Sequence, residues 1–341
     1  MPLFAFATLS SYALLITGAL AGGPWPWLAL AYMTALTALL DEWVRRRSAA
    51  ADPTASQNAA DALSALIALL HLVALAAVVA GLSGTALSPF GKFALFLAAG
   101  LVFGQVSNSN AHELIHRTDR TLRGLGVSVY ISLLFGHHAS AHPLVHHRFV
   151  GTEADPNSAR RGESLYRFLL RAWRGSYRAG WRAESDRLAT TNRSKITHPY
   201  LRYWAGAALM FAMAATIGGA GAIVAYLLIC GFAQVQLLMS DYVQHYGLRR
   251  HITTNGKPEP VAPHHSWNSP HWYSSALMLN APRHSDHHAH PARPYPALDL
   301  APDVPMLPRS LPVMACVALY PRLWRRVMDP RLAEWEARNA A

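Results

Sequence analysis

The sequence predicts an all-α integral membrane protein in which six transmembrane helices sit beneath a histidine-rich cytoplasmic cap, all in a single domain over residues 1–341. Three observations carry that reading. Apolar residues make up 52% of the 341 and charged residues only 14%, and mean hydropathy is positive, a balance unlike that of soluble domains of this length. The apolar residues gather in stretches near 3–21, 27–40, 62–82, 90–107, 203–217 and 220–240, most of a length that can cross a bilayer. The remainder, 108–202 and 241–341, is polar and holds four clusters of histidine.

Leu3 to Ala21 has no Lys or Arg before it, so it lacks the charged start of a secretory signal and reads as a retained helix. Gly22 to Pro26 turns the chain, and residues 27–40 return, ending in Asp41, Glu42, Trp43 and the triplet Arg45, Arg46 and Arg47. The positive-inside rule makes that triplet cytoplasmic. Counting crossings from there puts both termini inside and every histidine cluster on the inner face; a bacterial inner membrane is the expected location. Residues 90–107 rise roughly 27 Å at about 1.5 Å each, so His112 lies about one turn beyond the hydrocarbon. Residues 124–135 and 311–320 are apolar but too short to cross, the former being a buried or re-entrant segment. Between Arg160 and Arg187 eight arginines alternate with Leu165, Phe168, Leu169, Trp173, Tyr177 and Trp181. That pattern fits an interfacial amphipathic helix or an arginine face packed on the protein itself. Gly218 and Gly219 join the last two spans with almost no loop.

The net charge of +11 comes mostly from loop arginines. Without a basic stripe interleaved with aromatics, nucleic acid is excluded as a partner, and lipid headgroups or an acidic protein suit the charge better. Cys230 and Cys316 are the only cysteines, which rules out a CxxC framework or an iron–sulfur cluster carried by this chain.

Nine imidazoles stand in the four clusters: His112 and His116; His142, His146 and His147; His245; and His284, His287 and His288. The pairs 112/116, 142/146 and 284/288 are each four apart, a spacing that stacks two side chains on one helical face. Neutral imidazole suits Zn, Cu, Fe and Ni alike. Nine exceed the capacity of one ion, so two metals with positions left open is the natural division, and redox chemistry is favoured over zinc hydrolysis. His112-Glu113-Leu114-Ile115-His116 also satisfies the HExxH pattern of zinc proteases, in which Glu113 would be the general base, but that reading leaves six histidines without a role. A metal transporter would need ionisable residues along the spans, where His71 is the only histidine; a hydrogen bond between helices accounts for it. Asp155 and Asp286 are candidates to accept a ligand's second N–H, with Glu113 free to face either way.

These residues resemble the AlkB-type alkane 1-monooxygenases of the membrane desaturase and hydroxylase superfamily. The likeness is carried by Asn110 to His116, by the HxxxHH run from His142 to His147 followed by Glu153 to Arg160, by His245-Tyr246-Gly247-Leu248, and by Arg283 to Ala289. Gly162-Glu163-Ser164, His265 to Ser269, and Leu323 to Pro330 extend it. The resemblance implies a non-haem centre of two iron ions held by the nine histidines named above, and terminal hydroxylation of medium-chain n-alkanes to 1-alcohols with O2. It also implies electrons from NAD(P)H through a separate reductase and a separate acidic rubredoxin, which the arginines of 160–187, or Arg325 and Arg326, would dock. A hydroxylase or desaturase acting on an alkyl-aromatic or fatty acyl chain shares the same metal chemistry. Ala141 and Pro143 stand where the family pattern has Glu and Asn, and Asp241 and Gln244 where it has Asn and Glu. Asp241 is thus a candidate substitute for a lost ligand-orienting carboxylate.

Overall fold

The computed structural model describes residues 1–44 and 56–339. The triplet Arg45 to Arg47, on which the inside–outside reading rests, lies outside the described residues. Among those described, helices carry the architecture, and the only β pairing is two isolated bridges, Ile252 with Pro258 and Asn268 with Met306.

Helix α1 (Pro2–Ala21) is followed by α2 (Trp25–Ala31), a π turn (Tyr32–Leu36) and α3 (Thr37–Trp43). Residues 27–40 are therefore helical but in pieces, the two α segments being seven residues each. Helix α4 (Gln57–Ser83) starts where Ser56 Oγ accepts the Ala59 N–H, and α5 (Pro89–Leu101) where Ser88 Oγ accepts that of Gly91, each satisfying a donor that a helix start leaves free. Through a π turn (Val102–Ser107), α5 runs on into α6 (Asn108–Ile115). Among the described residues, four helices are long and apolar enough to cross a membrane: Pro2–Ala21, Gln57–Ser83, Pro89–Ile115 and Pro199–His245.

The last of these, at 47 residues, would measure about 70 Å if straight, more than twice a hydrocarbon core of about 30 Å. It is broken at the expected place. Gly219 takes φ 59°, ψ −141°, a region that only glycine enters without strain, so two limbs meet there at a sharp corner. Large apolar side chains such as Leu69, Val73, Phe90, Leu209, Val224 and Leu228 face outward from these helices, as lipid contact demands. Several polar groups within are satisfied internally. His71 Nε2 donates to Ser132 Oγ at 2.8 Å and its Nδ1 accepts from Ser107 Oγ at 2.8 Å, while Ser132 donates onward to the Val129 carbonyl and Ser107 accepts from Tyr12.

The short α7 (Arg120–Ser132) is capped by Asp119 and packs on α4 and α6. Then come α8 (His138–Ala141), a π turn (His142–His146) and α9 (His147–Phe149), followed by α10 (Leu165–Thr190), which begins later than residue 160 because Ser164 caps it. Helix α10 buries Leu165, Phe168, Ala172, Ser176 and Leu188 against the body and exposes Tyr166, Leu170, Trp173 and Tyr177. After α11 (Pro199–His245), the cap closes with α12 (Trp272–Leu277), α13 (His284–Ala289), α14 (Leu311–Ala318) and α15 (Pro321–Asn339). Asp41 Oδ1 accepts the backbone N–H groups of Tyr273 and Ser274 at 3.0 and 3.1 Å, which ties α12 to the end of α3.

Candidate metal centre

Five helices and turns converge where the spans meet the cap. His112 lies in the last turn of α6 and His116 ends it, His142 and His146 bound the π turn, and His147 opens α9. His245 ends α11, and His284, His287 and His288 lie on α13. The nine predicted side chains sort into two groups. Ligand nitrogens of His112, His116, His142, His147 and His287 all lie within 4.8 Å of one another, and those of His146, His245, His284 and His288 form a second such set.

Within the sets, Nε2 atoms face each other. His142 meets His112 at 2.6 Å and His147 at 2.8 Å, His147 meets His287 at 3.1 Å, and His284 meets His245 at 2.9 Å and His288 at 3.1 Å. Hydrogen bonding does not account for this, because a nitrogen carrying at most one proton cannot donate to two neighbours. Metal ligation does: nitrogens at about 2.1 Å from an ion and at right angles lie about 3.0 Å apart. His116 Nε2 and His146 Nε2 are also buried without a hydrogen-bond partner, as lone pairs meant for an ion would be. The donor set fits a metal centre.

Burial holds the imidazoles in the form that coordination needs. It lowers His116 to about 3 and pushes His142, His147, His284, His287 and His288 well below the ordinary histidine value. His146 differs. Burial opposes its protonation too, but the Asp155 carboxylate 2.9 Å from Nδ1 outweighs it and raises the ring's pKa. Asp155, which burial alone would push up, is held below the usual range by His146 and by the hydroxyl of Ser158 at 2.7 Å. With Nδ1–H committed to Asp155, the His146 Nε2 lone pair is left for the centre.

Two of the other carboxylates, Glu113 and Asp286, face elsewhere. Glu113 pairs with Arg117 at 2.7 Å and accepts the Tyr295 N–H, and Arg117 reaches Asp61. Glu113 is thus engaged with α4 and the cap, away from the position of a protease base. Asp286 pairs with His290 and Arg293, neither a predicted ligand. Asp241 accepts from Asn157 at 2.6 Å, and Asn157's own N–H is held by Asp155.

Several contributors were invisible in the sequence. The His265 carbonyl faces His245 Nδ1 at 3.4 Å, a main-chain acceptor that no side-chain pattern reveals. Its ring is spoken for: Nδ1 accepts from Ala262 N–H, so Nε2–H donates to Glu259. Asn268 clamps Ser285 of α13 through both its amide atoms, and Trp267 binds the carbonyls of Gln244 and Tyr246. Tyr246 bonds Asp329 and Gly162, Tyr242 bonds the Glu163 carbonyl, and Trp324 packs on both tyrosines at 5.2 Å. The Gly162 to Ser164, His265 to Ser269 and Leu323 to Pro330 segments are therefore braces for the histidine helices. Arg171 is a brace as well, bonded to Glu163 and to the carbonyls of Pro156 and Ser158.

Directly below the histidines lies a cavity with a free volume of about 680 Å³, counting its open mouth. His112 and His142 of the first group and His284 of the second form its roof, and the π turn Val102–Ser107, α6, α11 and α14 supply most of its walls.

A family model for fatty acid desaturases matches residues 88–316. Alkane 1-monooxygenase 1 of Alcanivorax borkumensis is 36% identical over 252 residues, 72% of this chain and 62% of that protein. The alkane 1-monooxygenase of Ectopseudomonas oleovorans is 35% identical over 244 residues, covering 71% and 61%. More distantly, the xylene/toluene monooxygenase hydroxylase component XylM of Pseudomonas putida is 26% identical over 243 residues, covering 67% and 62%. The chain spans 61–62% of the length of these curated relatives.

Proposed function

This chain belongs to the fatty acid desaturase family, in sequence as an AlkB-type member, and we propose that it is a non-haem diiron monooxygenase that hydroxylates the terminal methyl of medium-chain n-alkanes to 1-alcohols. The carrying observation is the division of nine imidazoles into a set of five and a set of four above one cavity. In this reading His112, His116, His142, His147 and His287 hold one iron, and His146, His245, His284 and His288 the other. When bound, the iron pair supplies the oxygen chemistry, in which one atom of O2 becomes the new hydroxyl and the other leaves as water, at the expense of two electrons and two protons from outside.

The chain's own residues bind and position. Neutral buried imidazoles donate lone pairs, Asp155 keeps His146 in the tautomer that does so, and the cavity presents a chain end to the histidine roof. An alkane reaches it from the bilayer, into which it partitions at about 0.8 kcal/mol per methylene. Cys230 and Cys316 are both free, which supports delivery of electrons by a separate rubredoxin and NAD(P)H-dependent reductase. Exposed Arg174 and Arg178 on α10 offer the docking charge, whereas Arg171 is committed to Glu163. Six crossings of a bacterial inner membrane, with the cap cytoplasmic, complete the reading.

The similarity to XylM favours one second reading, oxidation of an alkyl group on an aromatic ring. Elemental analysis together with gas chromatography of products from octane, dodecane and xylene distinguishes them. Two irons per chain and 1-alcohols from the alkanes are expected. Products from xylene alone would favour the second reading, and one zinc with no iron would overturn both.

A further inference from the structure

A second cavity, with a free volume of about 1160 Å³ counting its open mouth, lies between α7, α8, α10 and the start of α11. None of the nine histidines lines it, and arginine takes their place: Arg120 and Arg123 come from α7, Arg187 from α10 and Arg202 from α11. Glu184 is the one carboxylate in its wall, and it is already satisfied. One of its oxygens accepts from the Ser140 hydroxyl at 2.6 Å, and the other pairs with Arg187 at 2.7 Å. Asp119, which precedes Arg120, is turned back to cap α7 through the N–H groups of Thr121 and Leu122. Arg202 meets the ring of Tyr203, its guanidinium carbon 6.0 Å from the centroid. Arg120, Arg123 and Arg202 are thus left without a carboxylate partner among the described residues.

The cavity stands at the level of lipid headgroups. From Pro199 to the corner at Gly218 the first limb of α11 rises about 29 Å at about 1.5 Å per residue, which matches a hydrocarbon core of about 30 Å. With the corner at one surface of the bilayer, Pro199 is at the other, on the side of the cap. Aromatic side chains mark the same level. Trp204 Nε1 donates to the Tyr177 hydroxyl at 3.1 Å and its ring stacks on Trp181 with centroids 5.3 Å apart, and Trp and Tyr gather where membrane meets water. Exposed Ile196 and Leu201 lie in the cavity wall. From Leu201 an exposed apolar stripe runs along the limb at four-residue steps, through Ala205, Leu209, Met213 and Ile217.

These features select the ligand. Three guanidinium groups gathered beside low-dielectric hydrocarbon repel one another and concentrate an anion. Their planar forks match the oxygens of a phosphate, which can bridge groups on different helices. A soluble anion would leave the adjoining stripe unused, and an acidic protein could not follow it into the bilayer. A phospholipid supplies both parts, phosphate at the headgroup level and an acyl chain beside the limb. A zwitterionic headgroup would add an ammonium that the arginines repel. We propose that this cavity binds an anionic glycerophospholipid, with its phosphate between Arg120, Arg123 and Arg202 and one acyl chain along the Leu201 stripe. The site lies outside the hydroxylase reading and does not depend on it.

The test uses the full chain in detergent micelles carrying equimolar dioleoyl phosphatidylglycerol and dioleoyl phosphatidylcholine, with retained lipid counted by native mass spectrometry. Phosphatidylglycerol is expected to be retained about a hundredfold over phosphatidylcholine at low salt, each arginine near a membrane surface contributing about fivefold. Arg120→Gln/Arg123→Gln/Arg202→Gln should lose most of that preference. The charge-matched Arg167→Gln/Arg174→Gln/Arg326→Gln, outside the cavity, should keep it. Equal retention of the two lipids by the wild-type chain overturns the inference, and that measurement needs no variant to fold. Equal loss in both triple variants overturns it too, because the preference would then follow net charge alone. Displacement of the lipid by inorganic phosphate at matched ionic strength would make this a soluble-anion site. Unchanged lipid retention in the cavity variant, with weaker binding of an acidic rubredoxin, would give the arginines to a protein partner, and either result ends the lipid assignment.

Discussion

Two segments carry the same histidine spacing and use it differently. His284 and His288 are four apart on the α-helix α13, and both enter the group of four, their Nε2 atoms 3.1 Å apart. His142 and His146 are also four apart, yet His142 joins the group of five and His146 the group of four. The difference is one residue of winding. Residues His142–His146 form a π turn closed by the His147 N–H on the His142 carbonyl, so the residue that shares a face with His142 is the fifth along, His147, 2.8 Å away. Pro143 suits that turn, since it has no N–H to give the preceding turn and its ring crowds the carbonyl four residues back. One segment thereby feeds both groups, as α13 does by a different route, with adjacent His287 and His288 diverging around an α-helix.

The sharpest way to break this comparison is to remove adjacent members of the π segment one at a time. His146→Ala reduces a set of four to three, and His147→Ala reduces five to four. Both should lower turnover at least a hundredfold, on the order of what ligand-shell damage costs or more. Iron content should separate them, with His146→Ala losing one ion of the expected two and His147→Ala retaining more. Equal iron loss in the two variants would argue against separate groups.

A smaller effect tests the carboxylates. Asp155→Asn leaves the bulk of the side chain but weakens the hydrogen bond that orients His146, and iron affinity measured by chelator competition should fall about 10- to 100-fold at one site. Asp286→Asn, whose partners are His290 and Arg293, should stay within about threefold of wild type, the range of a surface ion pair. Matching losses would mean that the Asp155 contact has no special part in holding metal.

What the sequence revealed and what it hid divide along the same line. Apolar length with a glycine pair marks the break at Gly218–Gly219, and the alternation of arginines with apolar residues marks α10 but not its start, which the Ser164 cap sets five residues into the run. The two groups were not separable, since α-helical spacing pairs His142 with His146 and only a π turn separates them. Asp155 and Asp286 stand as equal candidates in the sequence, each close to a histidine cluster, and Glu113 can face either way; only the tertiary structure shows Asp155 on His146 while Asp286 and Glu113 turn toward arginines that sequence distance does not reveal. The His265 carbonyl and the Asn268 clamp lie in the long stretch after α11, where contacts are tertiary and no periodicity reports them. Arg171 read as docking charge because nothing in an arginine run tells which member is bonded to the body.

The smallest expected effect concerns pH and applies to the metal-free protein. His116 is lowered to about 3 and His137, outside both groups and buried beside Ser176, also to about 3, each by burial. In the unfolded chain such imidazoles titrate near 6.5. The folded protein therefore binds fewer protons than the unfolded chain once pH falls below about 6.5, and stability must drop with falling pH from that point toward the lowered folded values. Above about pH 7 neither state is protonated at these rings and they contribute no slope. His146 runs the other way, because its folded value is raised by Asp155, so it adds stability that fades as pH climbs through that value. The lowered histidines outnumber it, and the net sign is acid destabilisation. Melting temperatures of the metal-stripped protein in detergent should be level between about pH 7.5 and 7 and decline steadily between about pH 6.5 and 5. Replacing His137 with Gln should flatten that decline slightly. A melting temperature that rises on acidification would mean that the cap opens without metal and that its imidazoles are then in water.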